Sequence, residues 1–228
     1  MILRGNIKMS GILRFPEVDS RDVFPINNAK LDTKVSSTIR HDFELLTTAG
    51  VRAPVCFGGA LRDFDQGMMP NDYDFVGGLP SGINFIHGVC QTVGRLSGEL
   101  VDREITTVTN AATQTAHLLF NHMGRKIDLH LVSGKVPSVE EMADYGSIGL
   151  CSIAVGENGQ VVASERYIND LNDRTLTIRP GLSEDEHRRA ELRVVALRQR
   201  YPNFRPVSNS SAGAQRAAGR NAVLTYEG

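Results

Sequence analysis

Asp72 and Asp74 open a short apolar stretch, Asp72-Tyr73-Asp74-Phe75-Val76. In an extended chain, side chains two apart share a face, so both carboxylates project together while Tyr73 and Phe75 turn the other way. Two carboxylates on one face repel unless a cation lies between them, and hard oxygen ligands suit Mg²⁺ carrying nucleotide phosphates. Upstream stand Gly58 and Gly59, which lack Cβ atoms and let backbone amides come close to an anion. The helix that would begin at Ala60 points its free N–H groups and positive dipole end the same way, which makes a phosphate seat. Arg62 and Asp63 lie within that helix.

The elements that must hold these groups can be read around them. Val55, Cys56 and Phe57 form an apolar run of buried-strand type that the glycine pair ends abruptly. A helix over Ala60 to Asp65 comes next; Gly67 and Pro70 break it, and Asn71 turns the chain into a strand from Tyr73 to Val76. Farther on, Glu104 to Val108 and Thr115 to Asn121 read as strands, and His122 to Arg125 as a turn into a strand over Lys126 to Val132. Along that last strand Ile127, Leu129 and Leu131 share one face, and Asp128, His130 and Val132 the other. Asp128 is therefore a candidate third carboxylate.

Gly58, Gly59, Ala60, Leu61, Arg62 and Asp63, then Gly67, Pro70, Asp72 and Asp74, resemble in type and spacing the head-domain signature of class II tRNA nucleotidyltransferases (CCA-adding enzymes) and bacterial poly(A) polymerases. The resemblance implies a polymerase-beta-like nucleotidyltransferase fold, a two-metal site for Mg²⁺ with Mn²⁺ as a substitute, and a nucleoside triphosphate donor, ATP or CTP. It gives Asp72, Asp74 and Asp128 the catalytic and metal-binding roles, with Asp128 taking the proton from the acceptor hydroxyl. Gly58, Gly59, Arg62 and Asp63 become nucleotide-binding residues. Glu184, Asp185 and Arg188 resemble the family's base-reading motif, in which Asp185 and Arg188, three apart on one helix face, present donors and acceptors to the incoming base.

The resemblance spans roughly residues 50 to 200 and departs from the family in one place. The family places an arginine pair and an aspartate, which contact ribose and phosphates, before its Asn-Ala helix. Here no arginine lies between Arg125 and Arg166, and Asp144 alone survives.

Global properties set the remaining bounds. A chain of 228 residues with 41% hydrophobic and 22% charged residues can bury one core, and no apolar run reaches membrane-spanning length. The net charge of −1 excludes a uniformly basic nucleic-acid binder, so contact with RNA must be local. Arginines do crowd one region, at Arg188, Arg189, Arg193, Arg198, Arg200, Arg205, Arg216 and Arg220. Cys56, Cys90 and Cys151 sit in apolar surroundings without metal-ligand spacing and read as reduced core residues of a cytoplasmic protein.

Residues 1–30 read as an arm, 31–182 as the head domain, 183–205 as a C-terminal helix, and 206–228 as a flexible tail. Ser36 or Ser37 is expected to cap a helix carrying Ile39, Phe43 and Leu46 that Gly50 stops. A helix over Ile83 to Leu96 should bury Ile86, Val89, Cys90 and Val93. The pair Asn158-Gly159 suggests a type I′ hairpin. Ser183 and Glu186 form the ends of a capping box. His41-Asp42 and His87 lack companion ligands and read as structural. The segment after Tyr201 is short for the RNA-holding domains of the larger relatives.

These readings converge on an α/β (α+β) head with a mixed, largely antiparallel sheet flanked by helices and a short C-terminal helical segment. The expected activity is transfer of a nucleoside monophosphate to an acceptor hydroxyl, an RNA 3′ end first, with release of pyrophosphate and with self-association or a partner subunit supplying further RNA contacts. Two alternatives stand beside it. One is transfer to a protein or small molecule; the other is a degenerate head that binds nucleotide or RNA without catalysis.

Overall fold

Burial alternates residue by residue over Asp72–Phe75, Ala116–Phe120 and Ile127–Leu131, and this period of two sets the layers. The computed structural model describes residues 23–26, 29–80, 82, 84–96, 104–109 and 114–207. In chain order the elements are β1 (Val23–Pro25), α1 (Ala29–Lys34), a π-helical stretch (Val35–Ile39), α2 (Arg40–Thr48), β2 (Arg52–Phe57), α3 (Gly59–Asp65), β3 (Asp72–Gly78) and α4 (Phe85–Arg95). Then come β4 (Glu104–Thr109), β5 (Gln114–His122), β6 (Arg125–Val132), α5 (Val139–Tyr145), a 3₁₀ turn (Gly149–Cys151), β7 (Ile153–Gly156) and β8 (Val161–Ser164). The chain continues with α6 (Glu165–Asp173), β9 (Thr175–Thr177), α7 (Glu184–Arg200) and β10 (Arg205–Val207).

Eight strands form one sheet in the order β1-β8-β7-β2-β3-β6-β5-β4, and β9 pairs with β10 separately. Within the large sheet β3 and β6 run parallel and every other neighbouring pair is antiparallel, which is the mixed sheet expected. One sheet face carries Tyr73, Phe75, Ile127, Leu129, Leu131, Leu118 and Phe120 into the main core with Leu31, Val35, Ile39, Phe43 and Leu46. The other face holds a smaller apolar cluster of Val55, Val76, Val132 and Ala154 against Met142 and Ala143 of α5. The aspartates belong to this second face. No helix among the described residues is long and apolar enough to cross a membrane.

Several local expectations need correction. Ser36 and Ser37 cap nothing, because helical structure begins at Ala29 and runs through them in the π-helical stretch. Leu31, Val35, Ile39 and Phe43 recur every four residues, which overshoots an α-helical turn, and a wider turn takes up the surplus and keeps them facing the core. In α4 the N-cap is Asn84, whose side chain accepts from Ile86 and His87 N–H; Phe85, Gly88, Val89 and Thr92 are buried, while Ile86 and Cys90 are exposed. Cys56 is a core thiol whose pKa burial pushes well up, but Cys151 is half-buried and accepts from Arg62 Nη1 at 3.0 Å. The β7–β8 connection is not type I′: Gly159 has a φ of +76°, Asn158 is not in that region, and Gly159 N–H closes on Gly156 O at 3.0 Å. Val23–Pro25, inside the expected arm, pairs with β8 at the sheet edge, while residues 1–22 lie outside the described residues.

Candidate active site

The parallel pairing of β3 with β6 places Asp74 in register with Asp128, so the third carboxylate stands beside the pair from the neighbouring strand. Asp72 lies on the same face of β3. Burial pushes the Asp74 carboxyl up to about 7, and the neighbouring charges of Asp128 and then Asp72 add to the rise; Arg193 and Arg62 oppose it. Ionising all three acids at neutral pH is therefore costly, and a divalent cation among them would remove the cost. The donors are oxygens throughout, which fits Mg²⁺ or Mn²⁺.

Gly58 meets this cluster from the end of β2. Its φ of +76° is open to glycine at no cost, and a Cβ there would stand 3.7 Å from Asp74 Oδ2. Its own N–H is already used, donating to Ile153 O at 2.8 Å, so an incoming anion would have to use the next amides. Gly59 to Leu61 supply them, since the first-turn N–H groups of a helix have no helical carbonyl partner.

Arg62 and Asp63 are placed differently from the aspartates. Both are buried, and Arg62 Nε donates to Asp63 Oδ1 at 2.8 Å and to the Tyr201 hydroxyl at 3.2 Å. Arg200 Nη2 pairs with Asp63 Oδ2 at 2.7 Å, and Tyr201 Oη donates to Asp63 Oδ1. The dipeptide thus ties α3 to the C-terminal end of α7, and Arg200 leaves the exposed arginine run to do so. Arg216 and Arg220 lie outside the described residues.

Helix α7 opens with the capping box expected: Ser183 Oγ accepts from Glu186 N–H, and Glu186 Oε2 accepts from Ser183 N–H at 2.9 Å. Asp185 and Arg188 are exposed on its first turns. Arg193, one of the crowded arginines and exposed on the same helix, acts electrostatically on Asp74, a role that nothing in its local sequence distinguishes from its neighbours'. Asp144 has recovered two arginines from beyond the gap in the sequence. Arg166 Nη2 reaches its Oδ1 and its carbonyl at 2.7 Å each, and Arg179 Nη1 lies 3.4 Å from the carbonyls of Asp144 and Tyr145.

Two histidines complete the polar face. His117 of β5 is the register partner of His130 of β6, and both present Nε2 to Asp128 Oδ1, His130 from 3.3 Å. Burial lowers the His130 pKa to about 4 against the charge of Asp128, so its ring is neutral near pH 7. The alternation of β6 already placed His130 on the Asp128 face; only the β5–β6 register could bring His117 there. By contrast His87 contacts Gln91, and His41 lies beside Glu44. Asp42 is fully buried and pairs with Arg125 Nη2 at 2.6 Å, which makes it structural as expected.

No protein-family model and no curated protein matches the chain. Solved structures do. The Thermotoga maritima CCA-adding enzyme complexed with tRNA is similar at 20% identity and a TM-score of 0.54, over 82% of this chain and 43% of that one. A CCA-adding enzyme with CTP matches at 19% identity and 0.54, covering 83% and 44%, and an apo CCA-adding enzyme at 20% and 0.54, covering 86% and 46%. The likeness shows that the chain shares its fold with the part of these structures that it matches. The chain spans less than half the length of these three structures.

Proposed function

We propose that this protein is a metal-dependent nucleotidyltransferase that moves a nucleoside monophosphate from a triphosphate, ATP or CTP, to an RNA 3′ hydroxyl. The observation that carries this reading is the register of Asp74 with Asp128 beside Asp72, three carboxylates on one sheet face with Asp74 held near a pKa of 7. The similarity of fold to CCA-adding enzymes supports the substrate class. A cytoplasmic location agrees with the free thiol of Cys56.

In this reading Asp72, Asp74 and Asp128 would hold Mg²⁺ or Mn²⁺, which when bound neutralises phosphate charge and lowers the pKa of a coordinated hydroxyl. Asp128 accepts the proton of the acceptor hydroxyl as that oxygen bonds to the α-phosphorus, and the bond from the α-phosphorus to the pyrophosphate oxygen breaks. Gly58 supplies the positive-φ turn that brings α3 up beside Asp74, and the amides from Gly59 onward seat the phosphates. Asp185 and Arg188 read the base edge from α7. Arg62 and Asp63 serve the nucleotide by fixing α3 against α7, and Arg62 tempers the charge on Asp74.

The test is incubation with labelled ATP and CTP, Mg²⁺, and tRNA lacking its 3′ end, beside short RNA, protein and small-molecule acceptors. Incorporation into RNA is expected, with Asp72→Asn reducing it by about 10³-fold or more. Labelling of a protein or small molecule alone would reassign the acceptor, and equal activity in Asp72→Asn would overturn the assignment.

A further inference from the structure

The carboxylate face does not end at Asp128. His117 and His130 lie opposite each other across the antiparallel β5–β6 pair, and their rings stack with centroids 4.6 Å apart and 11° between planes. Stacking in register aims both Nε2 atoms at the same oxygen, Asp128 Oδ1. One donor atom from each of the three residues lies within 4.8 Å of the others. Their side chains are 21–25% exposed, recessed enough to be held by the strands and open enough for an ion to enter.

We propose that His117, Asp128 and His130 form a second cation site, one that takes a divalent transition ion of the zinc type. Two imidazole nitrogens and one carboxylate oxygen are a borderline donor set, unlike the all-oxygen set of Asp72 and Asp74, so the two sites differ in the metal they select. Ligand atoms about 2.0–2.1 Å from a tetrahedral ion stand roughly 3.3 Å apart. His130 Nε2 and Asp128 Oδ1 already have that separation, at 3.3 Å, whereas His117 Nε2 stands in direct hydrogen-bond contact with the same oxygen and must draw back for an ion to enter. Three protein ligands leave a fourth position for water or a substrate oxygen. Because Asp128 also stands in register with Asp74, filling this site couples it to the carboxylate pair. The site stands whether or not the chain transfers nucleotides; only its effect on catalysis rests on the proposed activity.

The experiment is a Zn²⁺ titration of the full chain followed by two-dimensional ¹⁵N NMR of the histidine ring nitrogens, with Mg²⁺ as the control ion. The Nε2 signals of His117 and His130 should move together and saturate with Zn²⁺ as directly ligated nitrogens do, should show no such ligation shift with Mg²⁺ even where Mg²⁺ reaches Asp128, and should respond to Zn²⁺ in the same way in Asp72→Asn, which leaves the ligand set intact. His117→Gln and His130→Gln should each weaken Zn²⁺ binding by at least about 100-fold in calorimetry. His87→Gln, on α4, should bind as wild type. Thermal melts by circular dichroism confirm that each variant is folded. Zn²⁺ that moves only His41 or His87, or that binds both His→Gln variants with wild-type affinity, overturns the site and leaves the two histidines as hydrogen-bond partners of Asp128. Neither outcome depends on whether nucleotide is transferred.

Discussion

The stretch from Gly58 to Asp74 supplies two clusters of charge, and the fold treats them oppositely. Below α3, Arg62 and Asp63 are buried and neutralise each other, with Arg200 and Tyr201 completing the set. On the open sheet face, Asp72, Asp74 and Asp128 stand together; His117 and His130 meet Asp128, only the more distant Arg62 and Arg193 lower the pKa of Asp74, and burial with the neighbouring carboxylates holds it at about 7. A cluster whose charges close on themselves contributes to stability. One left unbalanced in register across two strands costs stability, and it is the arrangement expected where an outside ion or substrate completes the charge.

The sharpest way to break this comparison is to attack the closed cluster. Asp63→Ala leaves Arg62 buried and Arg200 half-buried without their anion, and removing one partner of a buried pair such as Arg62–Asp63 costs about 3–5 kcal/mol. Urea denaturation should show a loss of that size, with transfer activity per folded molecule falling far less than the roughly 10³-fold expected of Asp72→Asn, because Asp63 positions α3 and α7 without touching the reacting atoms. A stable Asp63→Ala protein with lost activity would instead move Asp63 into the reacting site.

Attacking the open cluster should do the reverse. Asp74 has a folded pKa of about 7 against an ordinary value of 3.8, so the folded state holds the proton more tightly than the unfolded one. The stability this provides is present at low pH and is lost as pH rises from about 4 to 7. Asp74→Asn removes the ionisation, so in EDTA at pH 8 it should be more stable than wild type by about 2 kcal/mol, half of the roughly 4 kcal/mol that a shift from 3.8 to about 7 would give without solvent screening, since Asp74 is only half-buried; that is roughly 4–8 °C in Tm. At pH 4 the two proteins should melt together, and at pH 8 added Mg²⁺ should raise the Tm of wild type more than that of the variant. Equal melting in EDTA across the whole pH range would mean the three carboxylates are no worse off than solvated ones.

How much of this was legible in the sequence depends on the range of the interactions. The glycine pair, the Asp-Tyr-Asp alternation and the Ser183–Glu186 box are local signals, and the strands and helix they imply are present. Asp128 could be assigned a face from β6 alone, but its alignment with Asp74 depends on a parallel register that no local pattern encodes. His117 needed the β5–β6 register as well. The burial of Arg62 was hidden because its partner Tyr201 lies 139 residues away, and Arg166 and Arg179 reach Asp144 from separations of 22 and 35 residues. Ser36 and Ser37 misled for the opposite reason: a strong local capping preference was overridden by the apolar stripe from Leu31 to Phe43.

The smallest expected effect belongs to Arg193, the exposed cation facing the open cluster. Its counterpart Arg62 is locked in place, whereas Arg193 reaches Asp74 from the solvent side of α7, where charge interactions are worth about 0.2–1 kcal/mol and fade with salt. Arg193→Gln should therefore raise the KM for the triphosphate by roughly 2- to 5-fold at low ionic strength, with kcat nearly constant, because a diffuse positive charge favours substrate and transition state alike. At about 0.5 M salt, where the Debye length shrinks to a few ångströms, the difference from wild type should disappear. Steady-state kinetics at the two salt concentrations check both halves. A loss confined to kcat and indifferent to salt would show that Arg193 makes a direct contact in the transition state, and that the open cluster is completed from within the chain after all.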